Sequence, residues 1–128
     1  MYKRQEVLTA IQEHGLTPAN INSAAQVVAA GAKERIDALS ATPPAKARVI
    51  PLQVAGAFHT SYMAPARQEL EALVAQLTAF DPHPQCPLVS NAAGEVVTEG
   101  SRYLELIVNQ VAAPVAVSYT HLTLPTKA

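Results

Sequence analysis

Residues 16–31 read LTPANINSAAQVVAAG and contain two short apolar runs separated by a polar turn. The first run, 16–22, predicts a strand at an edge or with a bend, because Pro18 cannot donate a ladder hydrogen bond. The second, 26–30, predicts a strand that ends at Gly31. Working outward, residues 7, 8 and 11 share one face of a helix that Gly15 ends. Residues 32–39 predict a second helix, stopped by the prolines at 43 and 44. A third strand is expected over 48–55.

The remaining residues predict a helix, a hairpin and a last helix. A helix is expected from Pro65 to Thr78, because Leu70, Leu73, Val74 and Leu77 repeat at i, i+3, i+4 and i+7. Residues 87–90 predict a short strand, followed by a loop or hairpin around Gly94. Residues 103–111 predict the last helix.

Composition excludes several classes of function. With a net charge of −1 and 15% charged residues, the chain lacks the basic excess of a nucleic-acid binder. No apolar run approaches the roughly 20 residues of a membrane helix, and no signal peptide follows the start. The single cysteine, Cys86, cannot form an internal disulfide, which favours a cytoplasmic location. We therefore expect no nucleic-acid partner and no membrane association.

The two ends of the chain resemble translated sequencing-adapter DNA. Residues 117–126, VSYTHLTLPT, match one reading frame of a transposon adapter, and residues 1–5, MYKRQ, match its opposite strand. We therefore predict that 1–5 and 116–128 are adapter-derived and that native sequence runs from 6 to 115. Tyr119 and His121 receive no functional role on this interpretation.

His59 is the best candidate for chemistry among the four histidines. His14 lies at a helix end and His83 between two prolines, which are ordinary positions for surface histidines. No pair of histidines has metal-ligand spacing on a helix, and we expect no metal and no other cofactor. His59 follows the strand predicted over 48–55 and precedes a helix, and such junctions expose catalytic groups on a rigid scaffold.

A set of spaced motifs resembles the malonyl-CoA:acyl carrier protein transacylases of actinobacteria. The motifs cover nearly all of 6–115 and include LTPANIN (16–22), QVVAAG (26–31), VAGAFHT (54–60), MAPA (63–66), VSN (89–91) and NQV (109–111). The resemblance implies transfer of malonyl from malonyl-CoA to acyl carrier protein through a malonyl-serine ester, in fatty acid biosynthesis. It also implies that His59 is the general base, because an imidazole can accept and return a proton near neutral pH.

The resemblance further places four residues at the substrate. Asn20, Asn22 and Arg48 match positions along the CoA or pantetheine approach, and Phe58 matches a residue associated with malonyl selection. Each has a structural alternative: a turn or edge role for the asparagines, a solvated charge for Arg48, and core packing for Phe58.

The family's nucleophilic serine has no counterpart in this chain. Six serines are present, and none has the context of a nucleophile elbow. Relatives usually carry a glycine just before Gln26, where this chain has Ala25, which leaves the local loop geometry open. We therefore predict that the chain alone is inactive. Two other hypotheses are a piece of a polyketide synthase acyltransferase domain and a noncatalytic module that binds carrier protein.

The predicted fold class is α/β (α+β). The resemblance implies a ferredoxin-like small subdomain lacking its first strand, over 6–54, and a remnant of the large α/β-hydrolase-like domain with the histidine loop, over 55–115. Residues 1–5 and 116–128 belong to neither.

Overall fold

The computed structural model describes residues 2–117, which form helices and two small antiparallel sheets. The elements in chain order are α1 (Tyr2–Glu13), β1 (Thr17–Ile21), β2 (Val27–Ala30), α2 (Lys33–Ala41), a 3-10 turn (Ser61–Met63), α3 (Ala64–Val74), β3 (Leu88–Val89), β4 (Val96–Val97) and α4 (Gly100–Gln110). Tyr119, His121 and the predicted adapter residues from 118 onward lie outside the described residues.

The two strands of the opening sequence form the antiparallel hairpin that was predicted. Thr17 pairs with Ala30 and Ile21 with Val27, and the register shifts between Pro18 and Asn20. The bend follows from Pro18, because a proline in a strand is accommodated at a bulge or an edge. The order α1-β1-β2-α2 agrees with the predicted order of helix, strand, strand and helix.

A small hydrophobic core joins this hairpin to its two helices. Ile11, Leu16 and Leu39 are at most 5% exposed and form one cluster. Gly15, with φ of +64°, ends α1 so that the chain turns into β1. The partly buried residues around the cluster are Val7, Ala10, Val27, Ala29, Ile36 and Val49.

The segment 48–55 is not a strand, and the prediction of one was wrong. Ile50, Leu52 and Val54 alternate as in a strand, but their side chains are 60–66% exposed. A strand is stabilised by the backbone hydrogen bonds of a neighbour, and the hairpin β1-β2 does not extend to this segment. The backbone hydrogen bond from Val54 N–H to the Leu52 carbonyl is local.

The second half of the chain pairs α3 with α4 and carries the second hairpin. α3 begins with Pro65 in its first turn and ends at Val74, earlier than the predicted Thr78. α3 is joined to α4 by Arg67, whose Nε donates to Asn109 Oδ1 at 3.1 Å. The β3-β4 hairpin turns at Gly94, with φ of +72°, as predicted.

The end of α4 returns to the first hairpin through residues 113–116. The N–H of Ile21 donates to the Val115 carbonyl at 2.9 Å, and the N–H of Val115 donates to the Ala19 carbonyl at 2.8 Å. The N–H of Ala116 donates to the Asn91 carbonyl at 2.9 Å. The turn after α4 is therefore fixed against both hairpins.

Candidate active site

His59 lies in the loop before the 3-10 turn and has an unusual backbone conformation. Its φ is +60°, in the left-handed region that non-glycine residues rarely adopt. Such a conformation costs about 1–3 kcal/mol and persists where the surroundings hold it. The observation marks the His59 loop as a place where backbone strain coincides with a candidate catalytic side chain.

Thr60 holds this loop from inside. It is 1% exposed, and its hydroxyl donates to the Ala57 carbonyl at 2.6 Å and accepts from the Tyr62 N–H at 3.3 Å. The Thr60 carbonyl accepts from the Met63 N–H at 3.0 Å. A single buried side chain thus bonds the backbone on both sides of His59, which offsets the cost of the left-handed residue.

The imidazole of His59 is oriented by the last residue of α4. Its Nδ1 lies 2.9 Å from the backbone carbonyl oxygen of Gln110. A carbonyl can only accept, so the neutral ring carries its proton on Nδ1. The lone pair is then on Nε2, which is the nitrogen that a general base uses.

A cleft of about 450 Å³ opens beside this ring, within the size range of small-molecule sites. Its lining combines aliphatic, aromatic and amide side chains: His59, Val89, Asn91, Tyr103, Ile107, Gln110 and Val111. A second cavity of about 380 Å³, between α3 and α4, is lined by Arg67, Glu71 and their neighbours and has no histidine or thiol. A base next to an open, partly apolar cleft can accept the proton of a hydroxyl or thiol nucleophile.

Gln110 also acts through its side chain. Its Nε2 donates to the carbonyls of Ala113 at 2.8 Å and Pro114 at 2.9 Å. The residue is 8% exposed, and its Oε1 is buried without a hydrogen-bond partner among residues 2–117.

Sequence reasoning noted Gln110 and Thr60 within motifs but did not place either residue in the site. The signal for Gln110 was its position four residues after Leu106, on the same face of α4.

The other predicted site residues lie at different distances from this cleft. Phe58 is adjacent to His59 and 49% exposed. Asn20 is half-buried in β1. Asn22 follows the end of β1, and its N–H donates to the carbonyl of Gln26. Arg48 is exposed in the irregular segment. The described cleft includes His59 but not Asn20, Asn22 or Arg48, so their substrate roles stay predictions.

Within residues 2–117, no helix is long and apolar enough to cross a membrane. No group of three or more histidine, cysteine, aspartate or glutamate side chains in this range could hold a metal ion.

Curated proteins with similar sequences are named malonyl CoA-acyl carrier protein transacylases. Malonyl CoA-acyl carrier protein transacylases of Mycobacterium bovis and Mycobacterium tuberculosis are 44% identical over 110 residues, which is 86% of this chain and 36% of the relatives. A polyketide biosynthesis malonyl CoA-acyl carrier protein transacylase of Bacillus subtilis is 34% identical over 100 residues, covering 73% of this chain and 34% of that protein. No family model matches the chain.

Solved structures with a similar fold include the following transacylases. MCAT from Mycobacterium tuberculosis superposes with a TM-score of 0.87 at 41% identity, covering 93% of this chain and 39% of that one. MCAT from Streptococcus pneumoniae superposes with a TM-score of 0.79 at 33% identity, covering 92% of this chain and 40% of that one. The structure of a type II PKS acyl-carrier protein in complex with its malonyl-transacylase also matches. Its TM-score is 0.77 at 28% identity, covering 91% of this chain and 39% of that one.

The predicted fold class is thereby confirmed, since these neighbours combine an α/β-hydrolase-like domain with a ferredoxin-like subdomain. The chain spans about a third of the length of the curated relatives that it matches. Over that span it is homologous to the malonyl CoA-acyl carrier protein transacylases.

Proposed function

We propose that this chain is the histidine-bearing segment of an enzyme that transfers malonyl from malonyl-CoA to the phosphopantetheine thiol of acyl carrier protein. The observation that carries the proposal is the hydrogen bond from His59 Nδ1 to the Gln110 carbonyl. It leaves Nε2 as the basic nitrogen beside the cleft. The names of the relatives supply the acyl group and the two carriers.

In the proposed reaction His59 moves one proton in each half. Nε2 accepts the proton of a serine hydroxyl in the longer enzyme while the serine oxygen attacks the malonyl thioester carbonyl. The C–S bond then breaks, and the imidazolium returns the proton to the CoA thiolate. In the second half Nε2 accepts the proton of the carrier thiol as its sulfur attacks the malonyl-serine ester. The ester C–O bond breaks, and the proton passes back to the serine oxygen.

Four residues are proposed to meet the substrates. The exposed guanidinium of Arg48 suits the phosphates of CoA or an acidic carrier protein. The amides of Asn20 and Asn22 suit the pantetheine amide groups. Phe58, half-exposed beside His59, suits exclusion of an acyl group with an extra methyl.

The domain division is also proposed: the ferredoxin-like part from 6 to about 54 and the histidine-bearing part from 55 to 115. The core of Ile11, Leu16 and Leu39 supports a first unit, because its last peripheral member is Val49. The free, exposed thiol of Cys86 fits the proposed cytoplasmic location, where thiols stay reduced.

Replacement of His59 in a complete enzyme tests the function. The segment would be placed in a full-length transacylase of the family, and malonyl transfer to holo acyl carrier protein would be followed. We expect His59→Ala to lower kcat/KM by about 10²–10⁴-fold, which is the usual contribution of a general base. The matched control is His83→Ala, because His83 is exposed in a loop outside the cleft. An unchanged rate for His59→Ala would remove the assignment.

The two rival hypotheses predict other outcomes. A polyketide relative among the matches supports the synthase alternative, and flanking sequence in the source DNA would separate it from a fatty-acid enzyme. For a noncatalytic module, the 128-residue chain would bind holo acyl carrier protein in a titration.

We also expect the chain to form no covalent adduct with malonyl-CoA. An adduct on any of its serines would contradict the proposed placement of the nucleophile elsewhere.

A further inference from the structure

Asn91 lines the same cleft as His59 and has no part in the function proposed above. We propose that the side-chain amide of Asn91 binds the acyl group of the substrate, by donating a hydrogen bond from its NH₂ to the malonyl carboxylate. The inference rests on the proposed malonyl transfer and names a residue that selects the acyl group. The amide would distinguish malonyl from an acyl group that has no carboxylate.

Hydrogen bonds fix the backbone on both sides of Asn91. The N–H of Ser90 donates to the Glu95 carbonyl at 2.9 Å. The Ser90 carbonyl accepts from the Gly94 N–H at 2.9 Å, within the turn of the β3-β4 hairpin. The carbonyl of Asn91 itself accepts from the Ala116 N–H at 2.9 Å. Asn91 therefore lies on a turn with a well-fixed backbone, which is a common position for a binding residue.

An asparagine in a turn usually has a structural task, and here a neighbouring residue performs it. The side chain of a turn asparagine typically accepts from the N–H two residues further on. In this turn that type of bond is made by Ser90, which is 2% exposed and whose Oγ accepts from the Ala92 N–H at 3.2 Å. The exposed side chain of Asn91 makes no hydrogen bond with the residues of 2–117. Its amide is therefore available to a ligand.

The cleft beside His59 meets a carboxylate with neutral hydrogen-bond donors. As formed by residues 2–117, its lining contains no lysine or arginine. The NH₂ of Gln110 is already bonded to the turn after α4, so the available donors of this lining include the amide of Asn91 and the hydroxyl of Tyr103. An amide carries two N–H donors, and a hydrogen bond to a charged acceptor is stronger than one between neutral groups.

The position of His59 explains why the acyl group would enter this cleft. A general base must lie about 3 Å from the nucleophile whose proton it takes, and that nucleophile attacks the thioester carbon. The carboxylate of malonyl is only two covalent bonds from this carbon. A cleft of about 450 Å³ has room for the whole acyl group. A donor in the same cleft can therefore bind the carboxylate while His59 serves the thioester.

Binding of thioesters to the 128-residue chain tests the inference. In 15N-labelled protein we expect the side-chain NH₂ signals of Asn91 to shift on addition of malonyl-CoA, and to shift less with acetyl-CoA. Asn91→Asp replaces the donor by a carboxylate and should weaken malonyl-CoA binding by about tenfold or more, leaving acetyl-CoA binding unchanged. The matched control is Gln85→Glu, which adds the same charge at an exposed residue outside the cleft. Asn91 signals that do not shift, or equal weakening for both thioesters, would overturn the proposal.

A second test uses the full-length transacylase that carries this segment. Asn91→Ala should lower kcat/KM for malonyl-CoA about tenfold, as for loss of one hydrogen bond to a charged group, and leave kcat/KM for acetyl-CoA nearly unchanged. A purely structural role of Asn91 would slow both substrates alike. If His59→Ala abolishes transfer but the malonyl-to-acetyl ratio is unchanged in Asn91→Ala, this inference fails and the proposed function stands. If His59→Ala is fully active, the proposed function fails, and binding to the 128-residue chain still judges Asn91.

Discussion

The hairpin unit, residues 2–41, and the histidine half, residues 48–117, are organised in different ways. The hairpin unit gathers Ile11, Leu16 and Leu39 into one core between its helices and strands. The histidine half buries Val97, Leu106 and Val108 but exposes large apolar side chains: Ile50, Leu52, Val54, Leu73, Leu77 and Phe80. Its site is held mainly by polar contacts of Thr60 and Gln110. In this chain, core packing supports the scaffold, whereas hydrogen bonds position the reactive group.

The largest stability effect is expected from the core of the hairpin unit. Leu39→Ala should lower the free energy of unfolding by about 2–5 kcal/mol, because it removes buried contacts and leaves a cavity. Leu73→Ala, at a side chain 62% exposed, should change it by about 0.5 kcal/mol or less. Urea unfolding followed by circular dichroism measures both. Equal losses would break the contrast between the two regions.

A smaller but still clear effect is expected at Thr60. Thr60→Val keeps the shape and removes the hydroxyl, leaving the Ala57 carbonyl and the Tyr62 N–H without that partner. We expect a loss of about 1–3 kcal/mol in the free energy of unfolding and weaker order of the His59 ring. Thr60→Ser retains the hydroxyl and should restore most of the loss. If Thr60→Val and Thr60→Ser lower the free energy of unfolding equally, packing rather than hydrogen bonding holds this loop.

The two turn glycines offer one matched comparison between the regions. Gly15 ends α1 and Gly94 turns the β3-β4 hairpin, both with positive φ. Alanine at either position should cost about 1 kcal/mol for the left-handed backbone. Gly15→Ala should cost more, because the added Cβ would meet the guanidinium of Arg35, which donates to the Gly15 carbonyl. Thermal unfolding compares the two variants, and equal losses would show that Arg35 moves aside without cost.

The smallest effect is expected from the exposed ion pair of α2. The hydrogen bond from Lys33 Nζ to Asp37 at 2.9 Å, with their attraction, raises the pKa of Lys33 above its ordinary value. Because the folded pKa is the higher one, the contribution is present at neutral pH and disappears as the pH rises through it. Lys33→Met should therefore shift the thermal midpoint slightly at pH 7 and not at strongly alkaline pH. A shift as large as that of Leu39→Ala would contradict this.

The first hairpin and its helices could be predicted from sequence, because the residues that determine them lie close together along the chain. Pro18 demanded a bend, Gly15 and Gly31 marked the ends of α1 and β2, and apolar spacing defined the helix faces. The strand predicted over 48–55 failed because pairing is not local. Ile50, Leu52 and Val54 alternate correctly, but no strand of the described chain lies against them.

The candidate site divides in the same way. His59 was predicted from its motif and from its position after a Gly-Ala-Phe loop and the strand predicted over 48–55. Its partner Gln110 lies 51 residues away in sequence, and no local pattern joins the two. The left-handed backbone of His59 was equally invisible, since histidine has no strong preference for it. The substrate roles of Asn20, Asn22, Arg48 and Phe58, and the predicted origin of the chain ends, stay predictions.

By itself the sequence determined the similarity to the transacylases, the order of the first elements and the choice of His59 as the candidate residue. These depend on residue type, spacing and backbone constraints that act over a few positions. Only the tertiary structure decided which ring nitrogen of His59 carries the proton. That depends on one backbone carbonyl at the end of α4, which lies 51 residues away along the chain.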